Sequence, residues 1–244
     1  MNSQMKEITS SSNPIFRSLK LLLTSKGIRQ EKSFLVMGKK LVLEAISEQP
    51  ENIVSELVSP QMTPLTQKTL RLASPLFQEL DTLGTHYNLL VLRLPDLPVL
   101  SDLPPVKGRE LILPLGDPSN IGAVLRSASA FGVTHVYLTQ ESALPYLPRG
   151  VRASAGSLFH VPMSYVPSLS ALSFSASDYA LDLGGEDLAN FISPPQYRLL
   201  IGEEGQGIPS NFHGKRLTIK TSNVESLNAT VAASLALWKL STLK

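Results

Sequence analysis

Residues 113–132, LPLGDPSNIGAVLRSASAFG, contain the transition on which the interpretation of the fold depends. The apolar run LILPL ends at a Gly-Asp-Pro-Ser-Asn turn, and a run of small residues follows it. This pattern predicts a buried strand, a polar loop and a helix for which Asn120 is the N-terminal cap. Arg126 is the one cation of the predicted helix. Because arginine side chains are mostly exposed, the local sequence alone favours a solvated surface residue.

The composition limits the classes of protein to be considered. A chain of 244 residues with 43% hydrophobic and 17% charged residues can form one large or two small domains. We expect a cytoplasmic protein without a membrane partner, because no apolar run approaches the roughly 18 residues of a membrane span. The start, MNSQMKEITSSSNP, also lacks the order of charged and apolar regions of a secretory signal.

Cysteine and histidine usage indicates a mechanism without a metal. The chain has no cysteine, which excludes disulfides, thiolate zinc sites and a cysteine nucleophile. Its four histidines are scattered without the spacing of metal ligands.

A basic segment lies near the N-terminus. Seven lysines and arginines occur between Pro14 and Lys40 against Glu31 alone. Such clustering is typical of a protein that binds a polyanion such as RNA, and equally of a solvated helix face. The segment reads as a helix, a turn at Lys26-Gly27, a strand and a second helix, which predicts a small α/β unit. Further elements are predicted as a strand at 51–60, a helix at 64–73 and a strand at 87–94.

A proline-rich stretch divides the chain. LPDLPVLSDLPP, residues 94–105, has four prolines and resists both helix and central strand. We therefore predict an N-terminal domain at 1–105, ending in a linker at about 95–105, and a second domain at 106–244.

The second half alternates between strands and helices. This alternation predicts a mostly parallel sheet with helices on both faces and a ligand beyond the carboxyl ends of its strands. The predicted strands are 109–115, 134–139, 159–163, 179–183, 197–202 and 216–220. The predicted helices begin at Asn120 and cover 147–156, 168–174, 185–191 and 226–240.

Two strand-ending loops carry unusual chemistry. IGEEGQGIP, residues 201–209, combines three glycines with two carboxylates, but it matches neither a dinucleotide fingerprint nor a Walker loop. It is either a tight turn or a loop whose backbone amides hold a nucleoside. Ser226-Leu227-Asn228 opens the last helix, where one of its polar residues is expected to act as the cap. The apolar stripe of this helix is predicted to pack in the core; it consists of Leu227, Val231, Leu235 and Trp238.

Four segments together resemble the SpoU (TrmH-like) family of RNA ribose 2'-O-methyltransferases, within the SPOUT class. They are GDPSNIGAVLRSASAFG, RASAGSLFHVP, LLIGEEGQGIP and ESLNATVAASLALW, and they occur in the family's order. The resemblance implies a parallel α/β domain whose C-terminal segment forms a deep trefoil knot. NPIFRSLKLLL and FLVMGKKLVLEAI also resemble the small ribosomal-protein-like RNA-binding domain of many members.

The resemblance implies a reaction and a set of site residues. S-adenosylmethionine is the expected cofactor, RNA the substrate and a homodimer the active form, with no metal. By motif, the expected catalytic residues are Asn120, Arg126, Glu204, Ser226 and Asn228. The expected cofactor-binding residues are Gly202, Leu227, Ile219 and Leu183. The expected RNA-binding residues are Arg17, Lys20, Arg29, Lys39 and Lys40.

The role of Arg126 follows from its chemistry. A guanidinium stays protonated in proteins, so we expect Arg126 to bind the target phosphate and stabilise the developing alkoxide. Ribosomal RNA is favoured over transfer RNA because of the added N-terminal domain. A transfer-RNA methyltransferase and a non-catalytic RNA-binding assembly factor on the same fold are the alternatives. A dinucleotide-dependent dehydrogenase is disfavoured by the missing glycine fingerprint.

Overall fold

The computed structural model describes residues 7–202 and 207–241. The chain forms two compact units. The first contains the chain up to Asp96 together with Leu144–Gly156, and the second contains Leu97–Ala143 and the chain from Ser157 onward. No helix in the described ranges has the length and apolar character needed to cross a membrane.

The first unit is built on a five-stranded mixed sheet. Its strands are β1 (Glu7–Ile8), β2 (Ser33–Val36), β3 (Ile53–Val58), β4 (Thr69–Leu72) and β5 (Leu89–Arg93). Its helices are α1 (Pro14–Leu21), α2 (Ser25–Glu31), α3 (Lys39–Glu48), α4 (Ser74–Leu80) and, from later in the chain, α6 (Pro148–Ser154). The strand order is β1-β4-β3-β5-β2, in which β5 is antiparallel to both of its neighbours.

The predicted helix at 64–73 is wrong because a buried carboxylate organises this segment. Glu56 on β3 is fully buried and accepts hydrogen bonds from the backbone N–H groups of Leu65 and Thr66 and from the Thr69 hydroxyl. The Asn88 side chain also donates to it. These donors hold the segment extended, so that it ends in β4, parallel to β3.

The predicted turn at Lys26-Gly27 is also wrong, since both residues lie in α2. The Thr24 side chain caps α2 by accepting a hydrogen bond from Gly27 N. A Cβ at residue 27 would lie 2.1 Å from Leu21 O. The glycine therefore allows α1 and α2 to approach each other closely rather than marking a turn.

The second unit is built on a six-stranded sheet in which every described neighbour pair is parallel. This confirms the predicted α/β class with a mostly parallel sheet. The strands are β6 (Arg109–Leu113), β7 (His135–Leu138), β8 (Met163–Tyr165), β9 (Asp178–Asp187), β10 (Tyr197–Ile201) and β11 (Lys215–Thr218), in the order β11-β9-β10-β6-β7-β8. The two longer helices are α5 (Pro118–Ala130) and α7 (Ala229–Ser241).

The proline-rich stretch packs against the edge of this sheet. Leu100 N donates to Tyr165 O on β8, and Tyr165 N donates to Pro98 O. The structural units divide at Asp96. The functional division at residues 105 and 106 stays a prediction.

Three local predictions in the second unit are corrected. Asp117, not Asn120, caps α5, and its side chain accepts from Ser119 N at 2.6 Å. Residues 185–191 are not a helix, because Glu186 and Asp187 continue β9 and pair with β11. Residues 168–174 contain only a short 3-10 turn at Leu169–Ala171.

The predicted core packing of the α7 stripe is wrong as well. Val231, Leu235 and Trp238 are 48%, 43% and 56% exposed. A different face of α7 packs inward, and its buried residues are Ala233, Ala236, Leu237 and Leu240. The alanines let α7 approach its neighbours closely, which leaves the larger apolar side chains of the stripe without cover.

A buried ion network fixes the amino ends of the central strands. Arg198 on β10 is 2% exposed and donates to Glu110 on β6 at 2.9 Å and to Asp178 on β9 at 3.1 Å. It also donates to the Pro104 carbonyl, and its guanidinium lies 5.0 Å from the centre of the Tyr137 ring. One cation thus connects three strands and the end of the proline-rich stretch.

Arg198→Met should lower the free energy of unfolding by about 3–5 kcal/mol, because two buried carboxylates lose their cation. Urea unfolding of the two proteins measures this difference. Arg93→Met is the matched control, since Arg93 is exposed at the end of β5, and it should change stability by less than about 0.5 kcal/mol. Equal effects of the two substitutions would contradict a structural role of the network.

Candidate functional site

A cavity of about 540 Å³ lies at the carboxyl ends of β9, β10 and β11. Its walls come from four segments that are distant in sequence. They are residues 181–183 on β9, residues 201, 202, 207 and 208 at and after the end of β10, residues 218 and 219 at and after the end of β11, and residues 226–229 and 232 before and in the first turn of α7. This is the edge of a parallel sheet at which ligands bind.

A break in strand pairing opens the cavity. Arg216 on β11 pairs with Ala180, but the next residue, Leu217, pairs with Glu186. Residues 181–185 therefore bulge out of the ladder between β9 and β11. Because three of these residues line the cavity, the bulge itself is one of its walls.

Side chains at the base of the bulge hold it in place. Asp182 accepts a hydrogen bond from Leu183 N at 2.7 Å and forms an ion pair with Arg216. The Thr218 hydroxyl donates to Leu183 O at 3.1 Å. A Cβ at residue 185 would lie 2.6 Å from the Arg216 carbonyl, so the bulge returns to the ladder only where a glycine stands.

Six of the predicted site residues line this one cavity. The structure brings together the four residues predicted to bind the cofactor and two of those predicted to be catalytic. They are Leu183, Gly202, Ile219, Leu227, Ser226 and Asn228. Their roles stay predictions. The Asn228 side chain also accepts a hydrogen bond from Thr230 N at 2.9 Å, which caps α7 as the sequence led us to expect.

The two predicted catalytic residues on α5, Asn120 and Arg126, do not line the cavity. Asn120 contacts the start of α7, next to the lining residue Ala229, because the Thr230 hydroxyl donates to its side-chain oxygen at 3.1 Å. Farther along the two helices, the Ser127 and Ser234 hydroxyls lie 2.7 Å apart. Arg126 is exposed and has no hydrogen bond or ion pair to any residue that the structure describes.

Glu204 lies outside the described residues. The five cations predicted to bind RNA lie on exposed positions of the first unit: Arg17, Lys20, Arg29, Lys39 and Lys40. Lys20 forms an ion pair with Glu79 at 2.9 Å, whereas Lys39 and Lys40 occupy the first turn of α3.

The electrostatics of the cavity are simple. Asp182 is the only ionisable residue among the described lining residues, and its carboxylate already has partners. The lining includes no lysine or arginine within these residues, so none of the described side chains offers a phosphate a positive charge. Its leucines, isoleucines and alanines can pack against a flat apolar group, and its strand ends can present backbone donors and acceptors. The cavity therefore suits a nucleoside-like ligand without a phosphate.

Two groups with shifted pKa values, His135 and Tyr197, lie at the opposite end of the sheet. Burial lowers the pKa of His135, whose ring contacts the Ser164 hydroxyl, and raises the pKa of Tyr197 to about 12. Both residues begin their strands beside the Arg198 network. They support the sheet rather than the chemistry of the cavity.

Several residues of the site were not predicted from the sequence. Asp182 and Arg216 belong to no sequence motif. Their ion pair depends on the shift of register between β9 and β11, which the sequence does not reveal. Thr230 could have been suspected because it follows Ser226 and Asn228 closely in the sequence. Its contact with Asn120, 110 residues away, is a matter of helix packing.

The model of the SpoU rRNA methylase family matches residues 111–238, slightly more than half of the chain. The matched range contains most of the residues that form the cavity.

Two relatives match nearly the whole chain. The chain is 34% identical over 96% of its length to a protein of Syntrophobacter fumaroxidans named ribosomal RNA small subunit methyltransferase G 2, but it spans only 48% of that protein. It is 28% identical over 97% of its length to 23S rRNA (guanosine(2553)-2'-O)-methyltransferase RlmP of Bacillus subtilis, of which it spans 99%.

A solved structure has a similar fold. It is the SpoU methyltransferase AviRb from Streptomyces viridochromogenes, in complex with AdoMet, with a TM-score of 0.75 and 25% identity. The similarity covers 94% of this chain and 97% of that one.

Gly185→Ala should lower the free energy of unfolding by about 1–3 kcal/mol, because the added methyl group overlaps the backbone at Arg216. Urea unfolding measures the change. Gly184→Ala is a matched control, since nothing lies within 4 Å of a Cβ at residue 184. If the two variants were equally stable, the bulge would not depend on the close approach at residue 185.

Proposed function

The chain belongs to the SpoU rRNA methylase family, and from this we propose that it transfers a methyl group from S-adenosylmethionine to a ribose 2'-hydroxyl of ribosomal RNA. The observation that carries the proposal is the cavity at the carboxyl ends of β9, β10 and β11. It unites the segments around Gly202, Ile219 and Leu227, which are far apart in the chain.

The cavity suits S-adenosylmethionine. This cofactor carries adenosine but no phosphate, and the described lining has no cationic side chain. Leu183, Ile219 and Leu227 supply apolar surface, and Gly202 leaves its backbone open to close approach. AdoMet in the AviRb complex is consistent with this assignment.

Bound S-adenosylmethionine supplies a methyl group on a positively charged sulfur. The ribose oxygen would take the methyl group, the sulfur would keep the electron pair of its broken bond to carbon, and the hydroxyl proton would pass to solvent water. The protein positions the hydroxyl in line with the methyl group, and such orientation contributes up to ~7–11 kcal/mol in well-oriented systems.

Arg126 binds the RNA phosphate beside the target ribose and stabilises the developing alkoxide. It is exposed and without a described partner, so its donors are available to an anion. Asn120 adjoins the cavity through Thr230, and Ser226 and Asn228 line it. These three side chains, with Glu204, orient the reacting groups.

Ribosomal RNA is the favoured substrate. The Bacillus subtilis relative, which the chain matches over nearly its full length, is named a 23S rRNA 2'-O-methyltransferase. The first unit, with its exposed basic residues Arg17, Lys20, Arg29, Lys39 and Lys40, binds this RNA electrostatically. The division at residues 105 and 106, the trefoil knot and the cytoplasmic location stay predictions.

The active form is a homodimer. The α7 stripe leaves Val231, Leu235 and Trp238 exposed, and adjacent large apolar side chains on one helix mark an interaction surface. Beside the stripe, Leu235 and Trp238 line a recess of about 280 Å³ together with Ile219, which also lines the larger cavity. A second copy covering this surface would therefore adjoin the cofactor cavity.

Methyl transfer is tested with labelled S-adenosylmethionine and total RNA from cells that lack the protein. We expect label in ribosomal RNA at one ribose position that resists alkaline hydrolysis. Label in transfer RNA would identify the alternative substrate. Binding of S-adenosylmethionine without transfer to any RNA would identify a non-catalytic RNA-binding factor.

Arg126→Ala should reduce kcat by about 100-fold or more, because the transition state loses its charge partner. Arg126→Lys should retain part of the rate, since it keeps the charge but loses the planar pair of donors. The dissociation constant for S-adenosylmethionine, measured by calorimetry, should stay within about twofold, because Arg126 does not line the cavity. A near-wild-type rate for Arg126→Ala would remove this residue from the mechanism.

Replacement of Leu235 and Trp238 together by Ser should convert the dimer to a monomer by removing the apolar contact. Sedimentation velocity measures the change. Leu43→Ser is the control, since Leu43 is similarly exposed on α3 of the first unit. A dimer that survives the double replacement must use another surface.

A further inference from the structure

A second cavity, of about 530 Å³, lies wholly within the first unit. One wall is α1, through Ile15 and Leu19, together with Leu22, which follows the helix. The floor is the sheet, through Ser33 on β2, Ser55 on β3 and Val91 on β5. Its size is in the range of pockets that bind small organic groups.

The floor contains two serine hydroxyls that have no protein partner among the described residues. Ser33 and Ser55 are each 9% exposed. Side chains alternate along a strand, so Ser33 shares a face with Leu35, and Ser55 shares a face with Leu57. Leu35 and Leu57 belong to the core cluster that α1 helps to cover. Neither serine hydroxyl has a hydrogen-bond partner among the described residues, and neither oxygen is fully enclosed, so both are open to the cavity.

At these serines, the face of the sheet that packs against the helices changes from apolar to polar. The same face is apolar at Leu35, Leu57 and Leu89, where it packs beneath the helices. It becomes polar at Ser33 and Ser55, where the cavity begins. A face that served packing alone would gain stability from apolar residues at both positions. The two hydroxyls are thus available to a ligand that enters between α1 and the sheet.

The other groups of the cavity define the chemistry of that ligand. The Lys68 ammonium already donates to Ile53 O at 2.6 Å, and the Glu31 carboxylate accepts from Gln30. Apolar walls with small neutral donors and acceptors fit a flat heterocycle with a polar edge.

We propose that this cavity receives one unpaired nucleobase of the substrate RNA and that Ser33 and Ser55 hydrogen-bond to its edge. The proposal rests on the proposed function and adds to it a site that recognises the sequence of the RNA. Proteins recognise RNA sequence mainly through unstacked bases in single-stranded segments, which apolar surfaces hold and polar groups read. The basic residues of the first unit supply the affinity that does not depend on sequence.

The test compares base preference with salt dependence. The probes are four single-stranded heptanucleotides of uridine in which the central base is A, C, G or U, and fluorescence anisotropy measures their binding to the full chain. The wild type should prefer one central base by about fivefold or more. Ser33→Ala combined with Ser55→Ala should abolish this preference and leave the salt slope unchanged, since no phosphate contact is lost.

Two other double variants serve as controls. Ser10→Ala with Ser12→Ala removes two exposed hydroxyls that contact each other at 2.7 Å, and the preference should persist. Lys39→Gln with Lys40→Gln should reduce the salt slope and keep the preference. Thermal unfolding of Ser33→Ala with Ser55→Ala should occur at the wild-type temperature or above it, because the hydroxyls have no partner to lose.

Absence of a base preference in the wild type, or its persistence without the two hydroxyls, would overturn the proposal. Binding is measured without S-adenosylmethionine, so the result does not depend on methyl transfer. Loss of the base-reading role with intact methyl transfer leaves the proposed function standing. Failure of transfer in the wild type counts against the proposed function alone.

Discussion

The ion network of Arg198 is the constraint on which the second unit depends. A buried guanidinium needs partners for its donors, and it finds them in Glu110, Asp178 and the Pro104 carbonyl. The network therefore fixes β6, β9 and β10 at their amino ends. With that end held, the carboxyl ends can depart from regular pairing without loss of the sheet. A buried cation–carboxylate cluster of this kind adds little to the net stability of the fold. Removal of one member is costly, because it leaves a buried charge without a partner. Arrangements of the strands that separate the charges are therefore disfavoured.

The register break between β9 and β11 is such a departure from regular strand pairing. Five residues leave the ladder, and Asp182, Arg216 and Thr218 hold the resulting bulge in place. The cavity exists because of this irregularity, since a continuous ladder would leave no space between the two strands. The small residues of α5 and α7 also contribute to the arrangement of the site. They allow the helices to pack closely enough for Thr230 to reach Asn120, and they leave the apolar stripe of α7 outside.

Much of the site could be predicted because its residues occur in short motifs at strand ends. Six predicted residues line one cavity, and Asn120 adjoins it. The errors arose where a distant side chain decides local structure. Residues 64–73 have the spacing of a helix, but Glu56 collects their backbone donors and holds them extended. Asp117 rather than Asn120 caps α5 because Pro118 already occupies its first turn. The serines of the first unit gave no signal, since isolated serines are common in any sequence.

The sequence by itself determined the class of fold, the positions of most strands of the second unit and the family of the chain. These follow from hydrophobic periodicity and from the residues of local loops, and both act between neighbours in the chain. Only the tertiary structure decided which polar residues meet and which apolar face stays exposed. The contacts of Arg198 with Glu110, of Asp182 with Arg216 and of Thr230 with Asn120 join distant segments. Their formation depends on strand register and helix packing, which are properties of the whole core and not of any one segment.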